Sequence, residues 1–227
     1  VALKEISRAI RIRVPPHFVR SSETFLVELM KWNRTMNLIS RADERRVVGR
    51  HLLDSLCLLS VEPHLSGKRL LDVGSGAGFP GVALAIWEPD ARVFLLESKS
   101  KKVAFLKAVQ RRLALRNLSV VHSRIEDFGE IEDPGEMERI TRPIDILVSR
   151  GVRGVLALVS SLGYVVAEGG LIVLYKGPRA ALELKENKED ARLKERGFEL
   201  SIVKPAWKSL TTLVVLRKST TSQSPPS

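Results

Sequence analysis

The sequence predicts an α/β fold: a mainly parallel seven-stranded sheet with an antiparallel last strand, preceded by a helical segment. Three observations carry this reading. From Arg69 onward, short apolar runs alternate with longer helix-patterned stretches, the pattern of parallel strands joined by crossover helices. The first of these runs, Arg69-Leu70-Leu71-Asp72-Val73, passes into Gly74-Ser75-Gly76-Ala77-Gly78-Phe79-Pro80-Gly81. Glycines there let the chain turn at positive φ and let a ligand approach the backbone closely. At the far end, Phe198–Val203 and Thr211–Arg217 lie too close together for a crossover helix, so they should pair antiparallel.

Taken in order, residues 1–66 read as an N-terminal helical lobe. Phe18, Phe25, Leu26, Leu29, Met30 and Trp32 recur at helical spacing, and Asp43 reads as the N-cap of a second helix reaching Leu59. Ser66-Gly67 marks a break, and residues 67–218 form the α/β domain. Besides the terminal pair, strands are expected at Arg69–Val73, Arg92–Leu96, Ser119–His122, Ile144–Ser149 and Leu171–Tyr175. Ile144-Asp145-Ile146-Leu147-Val148 has the nearly unbroken apolar character of a strand buried on both faces. Helices are expected at Val82–Trp87, Lys101–Leu115, Val155–Val166 and Ala181–Arg196. Residues 219–227, rich in Ser, Thr and Pro, read as a disordered tail.

Composition narrows the function classes. Lys and Arg number 37 against 26 Asp and Glu, a formal net charge of +11. Such a balance suits a polyanionic partner, nucleic acid above all, although a merely solvated basic surface gives the same count. The basic residues include Arg41, Arg45, Arg46 and Arg50, then Lys99, Lys101, Lys102, Lys107, Arg111 and Arg112. No run of about 18 apolar residues suggests a membrane span, and the first residues lack the apolar centre of a secretory signal. Cys57 is the only cysteine, so no intrachain disulfide can form, as suits a reducing cytosol. Its apolar neighbours Leu56, Leu58 and Leu59 favour a buried, inert thiol over a nucleophile.

The glycine loop calls for a nucleotide-like cofactor, and by itself it leaves two open. Gly76-Ala77-Gly78-Phe79-Pro80-Gly81 fits the dinucleotide pattern G-x-G-x-x-G, with Glu97 spaced as a ribose-binding acid, so NAD fits the spacing. Against this, Asp72 followed by Gly74-Ser75-Gly76-Ala77-Gly78 resembles the first motif of Rossmann-like methyltransferases, which bind S-adenosylmethionine. The terminal antiparallel pair and the basic charge lean the same way.

Further segments make the resemblance specific. They are Trp32-Asn33-Arg34-Thr35-Met36-Asn37-Leu38, then His51-Leu52-Leu53-Asp54-Ser55-Leu56, and Glu97-Ser98-Lys99-Ser100-Lys101-Lys102. Ser123-Arg124-Ile125-Glu126-Asp127, Val148-Ser149-Arg150-Gly151-Val152 and Tyr175-Lys176-Gly177 follow. With the glycine loop, and in this order, they resemble the bacterial 16S rRNA guanine-N7 methyltransferases, the ribosomal small subunit methyltransferase G family, over residues 20–218. The family usually has Ala where Ile125 and Gly151 stand here.

That resemblance implies a Rossmann-like class I methyltransferase that methylates N7 of a guanosine in the 530 loop of 16S rRNA. A cytoplasmic monomer acting on the rRNA, the small subunit or its assembly intermediate is the accompanying expectation. Asp72, Gly74, Gly76, Gly78, Phe79, Ile125, Glu126 and Arg150 are expected to line the cofactor site, with Glu97 and Ser98 near the ribose. His51 and Asp54, three apart and hence on one helix face, are candidates for closing over the cofactor or touching the target base. Arg124 and Arg150 follow the third and fourth strands, at the carboxyl edge where α/β ligands bind, and are candidates for holding a phosphate or stacking on a base. The plain alternatives are a polar cluster at a lobe boundary for the first pair and surface ion pairs for the second. No metal-ligand spacing is present.

Overall fold

In a computed structural model of the chain, residues 13–128, 142–151, 154–178, 189–205 and 209–220 are described. Seven strands form one sheet in the order β3-β2-β1-β4-β5-β7-β6. They are β1 (Arg69–Val73), β2 (Arg92–Glu97), β3 (Leu118–His122), β4 (Ile144–Arg150), β5 (Val166–Lys176), β6 (Phe198–Val203) and β7 (Thr212–Lys218). Strands β1 to β5 pair in parallel, and β7 enters between β5 and β6, antiparallel to both. An all-parallel dinucleotide sheet has no such strand.

Each strand serves two cores, because successive side chains leave opposite faces. Leu70, Val93, Leu95, Ile146, Val148, Val173 and Val215 join one apolar cluster, whereas Leu71, Val73, Leu96, Leu147, Ile172, Leu174 and Val214 join the other. The first face is covered by α1 (Pro16–Met36), α3 (Gly81–Trp87) and α4 (Ser100–Arg112). The second is covered by α5 (Val155–Leu162) and α6 (Glu189–Glu195).

Helix α1 begins with a proline at its first position, where a missing N–H costs nothing. It buries the stripe Phe18, Ser22, Phe25, Leu29 and Asn33. Phe18 packs edge-on to Trp87 at 5.2 Å, and Phe25 meets Phe79 of the glycine loop at 5.1 Å. Asn33 fixes the turn that follows: its Oδ1 accepts the Ile39 N–H at 2.9 Å and its Nδ2 donates to Glu44 at 2.6 Å.

Several boundaries differ from the sequence reading. The cap of the helix after α1 is Ser40, not Asp43: Ser40 is extended, and its Oγ accepts the Asp43 N–H at 3.1 Å. Asp43 lies in the first turn and accepts the Ser40 hydroxyl at 2.7 Å. The expected continuous helix to Leu59 is instead α2 (Arg41–Glu44), a π-helical stretch Val48–Leu53 and a 3₁₀ stretch Leu56–Ser60. Helix α4 stops at Arg112, before Leu115, and α5 stops at Leu162, where a 3₁₀ turn leads into β5. Strand β5 starts five residues earlier than expected: Gly169-Gly170 reads as a loop, but the sheet absorbs it through a register shift beside β4. Of the helix expected at Ala181–Arg196, residues 181–188 lie outside the described residues, as do residues 1–12 and 221–227.

Candidate active site

The loop between β1 and α3 is held almost wholly by backbone groups. Gly74 and Ser75 both donate their N–H to the Leu96 carbonyl, at 2.9 and 3.2 Å. The Gly76 N–H donates to Glu97 Oε2 at 2.9 Å, and the Lys99 N–H to Glu97 Oε1 at 2.9 Å. Glu97, buried at the end of β2, therefore ties the loop to the strand beside it. Gly74, Gly76 and Gly78 all have positive φ. At Gly78 a Cβ would come within 2.7 Å of Val82 Cγ2, so both shape and dihedral demand glycine there.

Asp72 lies fully buried beneath this loop. Its Oδ2 accepts the Gly81 N–H at 2.9 Å, while Oδ1 is buried without a partner. Burial raises its carboxyl to about 7, against the hydrogen bond from Gly81.

A second set of side chains descends from the segment before β1. The His51 ring stacks on Phe79, with centroids 5.3 Å apart and planes inclined by 26°. Burial, reinforced by the charge of Arg150, pushes His51 down to about 4, so at neutral pH the ring is uncharged. Asp43 Oδ2 lies 3.8 Å from its Nε2, which has no hydrogen-bond partner. Asp54, also buried, accepts hydroxyls from Ser209 at 2.8 Å and Thr211 at 2.9 Å, and faces Arg150 Nη2 at 3.9 Å. The same Nη2 donates to the Arg50 carbonyl at 2.8 Å, and Nη1 is buried without a partner. Tyr175, on β5, donates its hydroxyl to the Ser55 carbonyl at 2.7 Å.

The carboxyl edge thus brings together Asp72, Gly74, Gly76, Gly78, Phe79, Glu97, His51, Asp54 and Arg150. Although His51 and Asp54 share a helical segment, one turns to the glycine loop and the other to the start of β7. Ser98 is exposed after β2, where its carbonyl meets His122 Nε2 at 3.1 Å. Ile125 packs partly into the second core just after β3, and Glu126 beside it is exposed. Arg124 is exposed in the same turn, with no hydrogen bond or ion pair to Arg150 or Asp54 among the described residues. Cys57 is buried, its thiol pushed up to about 12 by burial, as befits an inert core residue.

The sequence does not mark Asp43 as a charge beside His51, places Thr211 only as the start of a strand, and gives Ser209 no role. Tyr175 stood only inside a matched segment. No local pattern marks Ser209 or Thr211, whose roles depend on a carboxylate more than 150 positions away.

Comparison with known proteins agrees with this architecture. The family described as rRNA small subunit methyltransferase G matches residues 19–209. A ribosomal RNA small subunit methyltransferase G of Serratia proteamaculans is 37% identical over 185 residues, 81% of this chain and 84% of that protein. One of Sorangium cellulosum is 36% identical over 212 residues, 93% of this chain and 84% of that protein. Among solved structures, a methyltransferase from Geobacter sulfurreducens is 16% identical with a TM-score of 0.55, covering 86% of this chain and 88% of its own, a likeness of fold. With the match running from the helices before β1 through the glycine loop and strands β1 to β6, the chain belongs to the rRNA small subunit methyltransferase G family.

Proposed function

We propose that the chain transfers a methyl group from S-adenosylmethionine to N7 of a guanosine in the 530 loop of 16S rRNA. Its family makes it an S-adenosylmethionine-dependent rRNA methyltransferase. The finer target rests on the motif resemblance. The observation that supports methyl transfer at this edge is His51 stacked on Phe79 of the glycine loop, in the segment His51–Leu56 that belongs to the resemblance.

The residues present suit the cofactor. Arg150 Nη1 and Asp72 Oδ1 are buried polar atoms without partners, one donor and one acceptor. A methionine moiety, carrying a carboxylate and an ammonium, offers each its complement. Glu97 keeps lone pairs for ribose hydroxyls beyond those facing Gly76 and Lys99. Ser98 would lie near the ribose, Ile125 and Glu126 would flank the adenine, and the positive-φ glycines would admit the ligand to the backbone.

S-adenosylmethionine, when bound, supplies an electrophilic sulfonium methyl. Guanine N7 has an in-plane lone pair and no proton, so no side chain has to act as a general base. The chain's task is position and field. His51 would offer a neutral ring beside a purine that turns cationic on methylation, and the Glu97 carboxylate at the glycine loop would add negative charge to this edge. Arg124 and the N-terminal lobe, residues 1–66, would hold the rRNA.

The test is methyl transfer from labelled S-adenosylmethionine to undermethylated 16S rRNA, naked and in 30S particles, with the product nucleoside identified by mass spectrometry. N7-methylguanosine in the 530 loop is expected. A different methylated base or position refutes the target while leaving the family assignment intact.

A further inference from the structure

Along the helices before β1 lies a groove whose part in holding the RNA this reading leaves unspecified. Its volume is about 470 Å³, a size that accommodates small ligands. Leu26 and Met30 of α1 and Val47 supply the apolar walls, and Val27 extends them while 70% exposed. Lys31 and Arg34, both exposed, line the same groove. Arg45 and Arg46 are exposed and sit in the chain between two other groove residues, Glu44 and Val47.

An apolar wall lined by two cations, with two more beside it in the chain, matches an unpaired nucleotide, whose base needs an apolar surface and whose phosphates need positive charge. Glu44 adds an acceptor for a base N–H, held in place by the Asn33 amide at 2.6 Å. Chain continuity links the groove to the site, because Val47 leads directly into the π-helical stretch that carries His51 onto Phe79. The cationic residues favour a polyanion over an apolar protein segment, in keeping with the +11 net charge.

We infer that this groove binds an unpaired nucleotide of the rRNA being methylated, close along the strand to the target guanosine, and so helps select which loop enters the site. The inference rests on the function proposed above. A photocrosslinking residue, benzoylphenylalanine, placed at Val27 of the full chain and irradiated with undermethylated 30S particles should capture 16S rRNA in the 530 region. Capture of a ribosomal protein, of residues 1–12 of the chain itself or of a second copy overturns the inference. So does capture no greater than from the same residue placed at exposed Tyr164.

The Lys31→Ala/Arg34→Ala double variant should raise the KM for RNA about tenfold, with cofactor affinity unchanged, and should flatten the log–log salt dependence of RNA binding by about 1.4. An unchanged KM and slope would also overturn it. Crosslinking needs no turnover. A wild-type chain that methylates no guanosine therefore strikes the proposed function, while the crosslink still decides the groove.

Discussion

The two halves of the sheet's carboxyl edge are built by different means. On the β1–β2 side, backbone N–H groups do the holding, and their partners are near in the chain: Gly76 and Glu97 are 21 positions apart. Across β4, β5 and β7, side chains hold side chains and carbonyls over long spans. Arg150 reaches back 100 positions to Arg50, Tyr175 reaches 120 to Ser55, and Thr211 reaches 157 to Asp54. The first half is a local turn that glycines specify and one carboxylate secures. The second exists only once the sheet has brought distant segments together, so its strength should be tied to global stability rather than to the loop.

The sharpest way to break that contrast is Asp54→Ala. It would leave the partly buried Arg150 guanidinium without its carboxylate and two hydroxyls without their acceptor. Removing one member of a buried charged pair costs about 3 kcal/mol or more. Urea unfolding should show a loss of that size, well above the loss for Glu97→Ala. Equal losses would mean that both halves are anchored alike.

The next effect is pH-dependent and lies where the early helices meet the first half, at His51 on Phe79. His51 falls from an ordinary 6.5 to about 4 in the folded chain. Between those values the unfolded chain binds the proton more readily, so the stability from the neutral ring is full above pH 6.5 and drains away as pH falls toward 4. The gap corresponds to about 3 kcal/mol. Asp72 acts in the opposite sense: raised from 3.8 to about 7, its contribution is present at low pH and is lost as pH climbs to 7. Comparing wild type with His51→Asn removes the shared Asp72 effect. Wild type should lose more stability than the variant between pH 7 and pH 4, and parallel curves would mean that the ring is not held neutral against Phe79.

Glu97→Ala probes the first half. Cofactor affinity should fall by about 1–3 kcal/mol if Glu97 holds the ribose as proposed, because the hydroxyls would lose a charged acceptor and the Gly76 N–H loses its anchor. Isothermal calorimetry reads this directly, and an unchanged dissociation constant removes Glu97 from the cofactor site. This half was legible in the sequence for the reason that makes it local. Leu70-Leu71-Asp72-Val73 and the glycines after it encode strand, turn and ligand approach within a dozen residues, and β1 begins and ends where the apolar pattern places it. The helices before β1 were less legible. Apolar periodicity says that Leu52 to Leu59 are buried, yet it does not distinguish α from π or 3₁₀ winding, and that winding aims His51 and Asp54 in different directions.

The smallest effect bears on what the sequence left unmarked. Ser209 sits in the loop before β7, with no motif around it, yet its hydroxyl donates to Asp54 at 2.8 Å while its Oγ accepts the Thr211 N–H at 2.9 Å. Ser209→Ala deletes one hydrogen bond to a charged acceptor, and Asp54 keeps Thr211 and Arg150. The expected cost is about 1 kcal/mol in urea unfolding. If Asp54 is what joins the early helices to the end of the sheet, that cost should disappear in an Asp54→Ala background, because the hydroxyl then has no charged partner to lose. Full additivity of the two substitutions would show that Ser209 stabilises its own loop independently and that the long-range half of the site is held by Arg150 and Tyr175 instead.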